Sequence, residues 1–420
     1  MTATNLKIEE NQNVYTSDAI REGILPITAI YGANGAGKTN IISALKYFVQ
    51  SIIHNKNKDF SDAGVPYFLL DPEFENEETS FDLDFIFEGK HYHYGYALKN
   101  EKVVSEWLYS FSYSVRKSRT VLFHRDVNED EEYYFNKAFK GNNRSISDIV
   151  TDERLFLSMA SQSKHELCSK IHSYFRNEYN FRFSNSVHED SIGDKIKRFE
   201  LSNEISNFLT AIDVGAVRLE VKKVEIDDET ISLRNNVADA LLTALGNNEA
   251  IDFIKKGKIK DFENQIKIFR KDSKGENVEF SYNQESLGTR SIISLLASAF
   301  LVLKNGGVFV VDELESSLHT LLSIKVVELF NSKEFNKKGA QLIFTTHETQ
   351  LLNFEGIRKD EIWLTEKCID GSTKVSPLSD YSIPKRSNVR NGYLEGRFGA
   401  VPFFGGDMLI NLRGQDGQEL

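Results

Sequence analysis

Apolar positions run along this chain in two different periods. Near both ends, short continuous apolar runs alternate with helically spaced segments. Ile27 to Tyr31 is one such run and stops at a glycine-rich loop, and Asn40 to Val49 follows with helical spacing and good helix formers. This predicts a buried strand, a loop and a helix. Ser291 to Leu303 predicts a strongly apolar helix closed by Gly306-Gly307, and Val308 to Val311 a strand covered on both faces. Leu318 to Phe330 predicts another helix, and Gln341 to Thr345 and Glu361 to Leu364 two further strands.

Between these ends the period changes. Phe81 to Phe87, His91 to Ala97 and Val103 to Phe111 alternate, with turn residues at Glu88-Gly89-Lys90 and Lys99-Asn100-Glu101. Alternation bounded by turns predicts an antiparallel meander. Ser145 to Thr210 reads as mostly helical, Val217 to Ile226 as a strand, and Val237 to Leu245 and Ala250 to Ile254 as helices.

Composition narrows the class. A hydrophobic fraction of 40% and a charged fraction of 27% suit a folded chain rather than a disordered one. No run approaches the roughly 18 uninterrupted apolar residues of a membrane span, and the polar N-terminus lacks the apolar core of a signal peptide, so the expected setting is the cytoplasm, without a membrane partner. Two cysteines, Cys168 and Cys368, make no disulfide framework. The formal net charge of −11 argues against a general affinity for nucleic acid, while a local basic groove leaves direct contact open.

The chemistry is concentrated in the loop between the first strand and helix. Gly32-Ala33-Asn34-Gly35-Ala36-Gly37-Lys38-Thr39 has the form G-x-x-x-x-G-K-[ST] of a phosphate loop, with the required strand before it and helix after it. Glycines let backbone N–H groups turn inward around phosphates, and the helix N-terminus adds partial positive charge. Lys38 is expected to reach the β- and γ-phosphates, Thr39 to ligate Mg²⁺, and Asn40 to complete the nucleotide-binding run. A glycine-rich turn matching by chance is the plainer alternative, and the two correct flanks weigh against it. Val308-Phe309-Val310-Val311-Asp312-Glu313 is a Walker B pattern of four apolar residues and two acids. Asp312 is expected to hold Mg²⁺ and Glu313 to activate water as general base. An acidic helix cap would look the same in isolation. Asn55-Lys56-Asn57-Lys58-Asp59 resembles a guanine-reading motif, but its spacing fails.

Glu285-Ser286-Leu287-Gly288-Thr289-Arg290 precedes the apolar helix ahead of Asp312. Here the sequence resembles the ABC-type ATPase heads of SMC, RecN and OLD proteins, and in particular the compact SMC-like ATPases of bacterial anti-phage defence systems of the PARIS, Septu and RloB-associated types. E-S-x-G-T is that branch's signature loop. Glu315-Ser316-Ser317-Leu318-His319 stands at its D-loop, Thr345-Thr346-His347 at its switch histidine, and Asn391 to Pro402 looks like its C-terminal box. The likeness covers about residues 24–54 and 280–400.

The resemblance implies ATP and Mg²⁺ sandwiched between two heads, with Ser286, Gly288 and Thr289 facing the partner's nucleotide. It implies that Glu313 activates water and that His347 senses the γ-phosphate. The plainer reading of Ser286 to Thr289 is a helix N-cap, compatible with the first. The resemblance also implies a homo-oligomer, at least a head-to-head dimer. This dimer would restrain a separately encoded effector, a nuclease, under a phage-encoded trigger, with the PARIS type, toxin–antitoxin-like, mildly preferred. Departures from the family are a missing F-R-S-F-like first strand, no Q-loop glutamine between Tyr67 and Phe81, no long coiled coil, and too few residues after His347 for a Toprim nuclease.

The expected fold is therefore α/β, an ABC-type P-loop ATPase head with an antiparallel β meander and a helical insertion between the Walker A and signature halves. The expected divisions are 1–60 for the first part of the head, 61–144 for a β subdomain, 145–279 for a mainly helical insertion, 280–380 for the second part of the head, and 381–420 for the C-terminal box and tail. Two other readings are a repair ATPase acting directly on DNA and a scaffold that holds ATP without hydrolysing it. His91 and His93 share a strand face without a third ligand in view. The lysines and arginines from Lys255 to Lys274, with Arg116, Lys117 and Arg119, read first as solvated faces.

Overall fold

A computed structural model describes residues 1–4, 6, 12–54, 67–113, 117–183, 189–227, 231–232, 236, 262–384 and 387–401. The chain divides into two units, one of residues 1–183, 302–316 and 323–420, the other of residues 184–301 and 317–322.

The first unit is organised by a six-stranded sheet. Its strands are β1 (Ile27–Gly32), β7 (Tyr179–Arg182), β11 (Val308–Val311), β12 (Gln341–Thr345), β13 (Ile362–Lys367) and β14 (Thr373–Pro377). Their order is β14-β13-β1-β12-β11-β7, and only the β13–β14 pair is antiparallel. Every residue of β1 and β11 is buried, which is why both read as continuous apolar runs. The sheet joins the N- and C-terminal parts of the chain, as their matching strand–helix rhythm anticipated. It sets the carboxyl ends of β1, β12 and β11 side by side, the usual place for a ligand in an open parallel sheet.

A second sheet in this unit is a pure meander of β2 (Thr79–Phe87), β3 (Lys90–Lys99), β4 (Lys102–Ser112), β5 (Ser118–Asp126) and β6 (Tyr133–Phe135), in sequential order. The first three strands match the alternation in the sequence. Helices α1 (Lys38–His54), α2 (Asn143–Ser147), α3 (Phe156–Gln162) and α4 (Glu166–Glu178) complete the unit together with α9 (Val389–Leu394). One aromatic core fastens α1 to the meander and to α3 and α4, with Phe48 stacked on Tyr96 at 5.6 Å and edge-on to Phe175 at 5.7 Å. Glu106 is fully buried there. It accepts the Phe156 and Leu157 N–H groups, at 2.5 and 2.9 Å, and the Tyr94 hydroxyl at 2.9 Å, so it satisfies the start of α3.

The second unit contains α5 (Glu189–Arg198), α6 (Ser202–Ala211) and an antiparallel sheet of β8 (Ala216–Glu225), β9 (Phe262–Lys271) and β10 (Asn277–Ser281), in the order β10-β9-β8. Helices α7 (Leu287–Asn305) and α8 (Thr320–Asn331) each begin in this unit and end in the first. Helix α7 is long and apolar enough to cross a membrane, but most of it is buried, as in a core helix.

Several elements differ from the sequence reading. Tyr179–Arg182 is a strand inside a stretch read as helical. It has four residues, follows α4 without a Gly or Pro break, and is held extended by parallel pairing with β11. The stretch read chiefly for its basic residues carries β9, whose inward Asn264, Ile266 and Ile268 alternate with polar residues that hide the pattern. Among the described residues, the segment ahead of β1 forms isolated bridges from Thr2 and Tyr15 to Ile24 rather than a strand. The segments 237–245 and 250–254, read as helices, lie outside the described residues.

Glu361 pins the start of β1, accepting the N–H groups of Ile27 at 3.2 Å and Arg358 at 2.8 Å. Burial pushes its carboxyl up to about 8 from an ordinary 4.5, against the pull of those donors. The sign follows from linkage: a folded pKa above the unfolded one gives stability that is complete below about 4.5 and is lost as pH rises through 8. Glu361→Gln should therefore flatten the fall in melting temperature between pH 5 and 8. An unchanged pH profile in the variant would show that Glu361 is charged in the folded state.

Candidate nucleotide site

The phosphate-loop residues leave the end of β1 and enter α1 at Lys38, so the loop sits at a helix N-terminus, where free backbone N–H groups and partial positive charge favour an anion. Gly37 has φ +97°, and a Cβ there would lie 2.2 Å from Thr373 Oγ1; neither condition admits another residue. Thr373 also donates to the Ala36 carbonyl at 3.1 Å, so β14 braces the loop from behind. Lys38 is 7% exposed, and its ammonium donates to the Gly32 and Ala33 carbonyls at 2.9 and 3.1 Å. Burial lowers its pKa, opposed by the nearby charges of Glu313, Glu315 and Asp312.

Asp312 ends β11. Both its oxygens face the Thr39 hydroxyl, at 3.2 and 3.1 Å. A hydroxyl and a carboxylate so close together form an oxygen-only donor pair that suits Mg²⁺, which keeps its remaining positions for phosphate and water. Among the described residues no cluster of three or more His, Cys, Asp or Glu would hold a metal by itself, His91 and His93 included. Those two histidines instead face Asp84, at 2.6 and 3.3 Å. Glu313 follows in the left-handed region, at φ +53°.

The loop, the acid and the histidine close on one cavity of 360 Å³, lined by Asn34, Gly35, Gly37, Lys38, Thr39 and Asn40 and, across from them, by Glu313 and His347. The His347 N–H donates to Glu315 at 2.6 Å. Its imidazole is held below the ordinary histidine range, first by burial and then by the charge of Lys38, which favours the neutral ring at pH 7.

The structure thus brings together Lys38, Thr39, Asn40, Asp312, Glu313 and His347. Ser286, Gly288 and Thr289 belong to the second unit. There Ser286 Oγ accepts the Thr289 N–H at 3.1 Å and caps the start of α7, as its plainer reading anticipated. Glu285, just before it, is buried and gripped by Arg270 through two hydrogen bonds of 3.1 and 2.6 Å. The sequence reading gave no part to Thr345, a fully buried residue that touches both Asp312 and Glu313. Its signal lies in strand register: Val311 pairs with Phe344, so the next residues, Asp312 and Thr345, lie side by side.

Residues 27–353 match a protein family described as "AAA domain, putative AbiEii toxin, Type IV TA system". The chain belongs to that family. It is accordingly a P-loop ATPase by family, with the nucleotide binding that implies. No curated protein matches it in sequence. Among solved structures, this AAA-domain ATPase is similar to an SMC head bound to the C-terminal winged-helix domain of ScpA, at 16% identity over 84% of this chain and 89% of that one, with a TM-score of 0.38. An SMC head with an extended coiled coil, bound to the C-terminal domain of ScpA derived from Pyrococcus furiosus, matches at 14% identity over 87% and 96%, with a TM-score of 0.37. The CbiO1 component of a Clostridium perfringens ABC transporter complex matches at 11% identity over 87% and 86%, with a TM-score of 0.27.

Proposed function

We propose that this chain binds Mg·ATP between two of its heads and hydrolyses it to switch an assembly, restraining a separately encoded effector nuclease in anti-phage defence. The observation that carries the enzymatic part is the single cavity shared by Lys38, Thr39, Glu313 and His347, with Asp312 beside Thr39. Lys38 neutralises phosphate charge, the loop amides and Asn40 hold the phosphates, and Thr39 with Asp312 holds the magnesium. Magnesium supplies charge neutralisation at the phosphates. Glu313 takes the proton of the attacking water, and neutral His347 donates or accepts one hydrogen bond at the phosphate end. Ser286, Gly288 and Thr289 contact the partner's nucleotide.

The defence role, the effector and the phage trigger rest on the E-S-x-G-T resemblance, and a family description naming a toxin of a toxin–antitoxin system is in keeping with them. The cytoplasmic setting is supported by the burial of α7, the one helix among the described residues long and apolar enough to cross a membrane. Among defence types the PARIS type is preferred. Co-purification from the native host tests this part: a nuclease held in an ATP-dependent complex supports it, and its absence in every nucleotide state overturns it.

Lys38→Ala tests the site itself. Loss of charge-assisted contacts worth about 2 kcal/mol or more should weaken binding of a fluorescent ATP analogue at least about 30-fold. Wild-type affinity in that titration would place the nucleotide elsewhere.

Direct action on nucleic acid is the second reading, and one cavity in the second unit favours it. This cavity, of 660 Å³, is lined by Lys195, Lys197, Arg198, Lys223, Phe199 and Phe262, with Asp194 its only acid. Lys195 donates to Ser298 Oγ at 2.8 Å, and burial lowers its pKa. Lys223 lies 3.8 Å above the Phe262 ring. Cations beside aromatic faces suit single-stranded nucleic acid. Against this, Lys267 and Arg270 of the basic stretch are neutralised by Glu279 and Glu285. Hydrolysis stimulated by single-stranded DNA and falling steeply with salt would favour the second reading; indifference to DNA favours the first.

A further inference from the structure

Thr345 ends β12 between the two strands that carry the site's chemistry, and it is fully buried. Its hydroxyl makes two hydrogen bonds. It donates to Asp312 Oδ1 at 2.7 Å and accepts the backbone N–H of Glu313 at 2.7 Å. Its carbonyl accepts the Leu314 N–H at 3.1 Å. One side chain therefore orients the carboxylate that faces Thr39 and also pins the backbone of the next residue, which sits at φ +53°, a conformation that non-glycine residues adopt only when neighbours fix it.

We infer that Thr345 is a positioning residue that sets Asp312 for magnesium and Glu313 for water through one hydroxyl. This inference rests on the ATPase reading above. The geometry is specific. Oδ1 of Asp312 takes the Thr345 hydroxyl while both its oxygens stay within hydrogen-bond reach of Thr39, so the rotation of the carboxylate is fixed before any metal arrives. Because the same hydroxyl also takes the Glu313 N–H, a change at Thr345 moves both acids together, whereas a change at Asp312 or Glu313 moves one. A hydroxyl that merely filled a buried corner would be satisfied by a single partner of any kind, whereas this one bridges the two acid-bearing residues.

Thr345→Val keeps the shape and removes both bonds, leaving the Glu313 N–H unpaired, while Thr345→Ser keeps both. In Thr345→Val, turnover should fall about 10- to 100-fold, the magnitude expected when supporting contacts of a reacting group are lost. Nucleotide affinity in EDTA should stay within about twofold, because the loop amides and Lys38 are untouched. The magnesium concentration that half-saturates ATP binding, read with the fluorescent analogue and without turnover, should rise about tenfold. Thr345→Ser should restore both quantities to within about threefold. Should the valine variant fail to fold, Thr345→Cys, similar in size with a weak S–H donor, should show the same magnesium shift at reduced size.

Unchanged magnesium dependence in the valine or cysteine variant, or no rescue by serine, overturns the inference. A wild-type chain that releases no phosphate from Mg·ATP instead sinks the hydrolysis reading, and the magnesium titration of binding still judges Thr345.

Discussion

Glu313→Gln is expected to abolish phosphate release while leaving ATP binding intact. Glu313 faces the phosphate-loop residues across the 360 Å³ cavity and directly follows Asp312, so in the proposed reaction it is the carboxylate placed to take a proton from water. Glutamine keeps the size of the side chain and its ability to orient water, but not its basicity. Losing a general base lowers turnover by about 10²- to 10⁴-fold. Lys38 and the loop amides are untouched, so the nucleotide still binds, and the ATP-bound pair of heads accumulates because nothing discharges it. Light scattering should show a dimer that persists with ATP and falls apart when nucleotide is removed. The result separates two readings: a scaffold that holds ATP without hydrolysing it would show the same turnover and the same assembly in wild type and variant.

The parts of this site legible in the sequence were those whose chemistry is local. The phosphate loop is a continuous run whose glycines, lysine and threonine are dictated by one strand–loop–helix turn, and the Walker B strand is four apolar residues and two acids in a row. What was illegible depends on the order and register of strands. Nothing in the apolar pattern places β12 between β1 and β11, yet that placement brings Thr345 to both acids, and it brings to the cavity His347, which the sequence named only through the resemblance. The strand Tyr179–Arg182 was hidden for a related reason, since only pairing with β11 holds it extended. The same strand flanks the acid expected to hold magnesium: the Asp312 N–H donates to the Arg182 carbonyl at 2.9 Å. The signature residues divide the same way: their capping role is local and readable, whereas a role toward a partner belongs to an assembly.

That assembly can be tested by mixing two inactive variants. Lys38→Ala removes the phosphate loop's charge, and Gly288→Asp places a carboxylate where the signature loop would meet a partner's γ-phosphate. The second change should fold normally. Gly288 has no positive φ, and a Cβ there meets nothing closer than the Ser317 carbonyl at 3.4 Å. An aspartate in the first turn of α7 also suits the helix dipole. Each variant alone is expected to be silent. If the phosphate loop of one head works with the signature loop of another, random pairing makes half the dimers mixed, and each mixed dimer has one site with both parts intact. The mixture should then recover about a quarter of wild-type turnover, as two-fold symmetry with independent sites requires. If both parts serve the same head, every head in every dimer carries one broken part and the mixture stays silent. Recovery below a quarter but above background would mean that the two sites fire together, because a mixed dimer then holds an intact site beside a dead one.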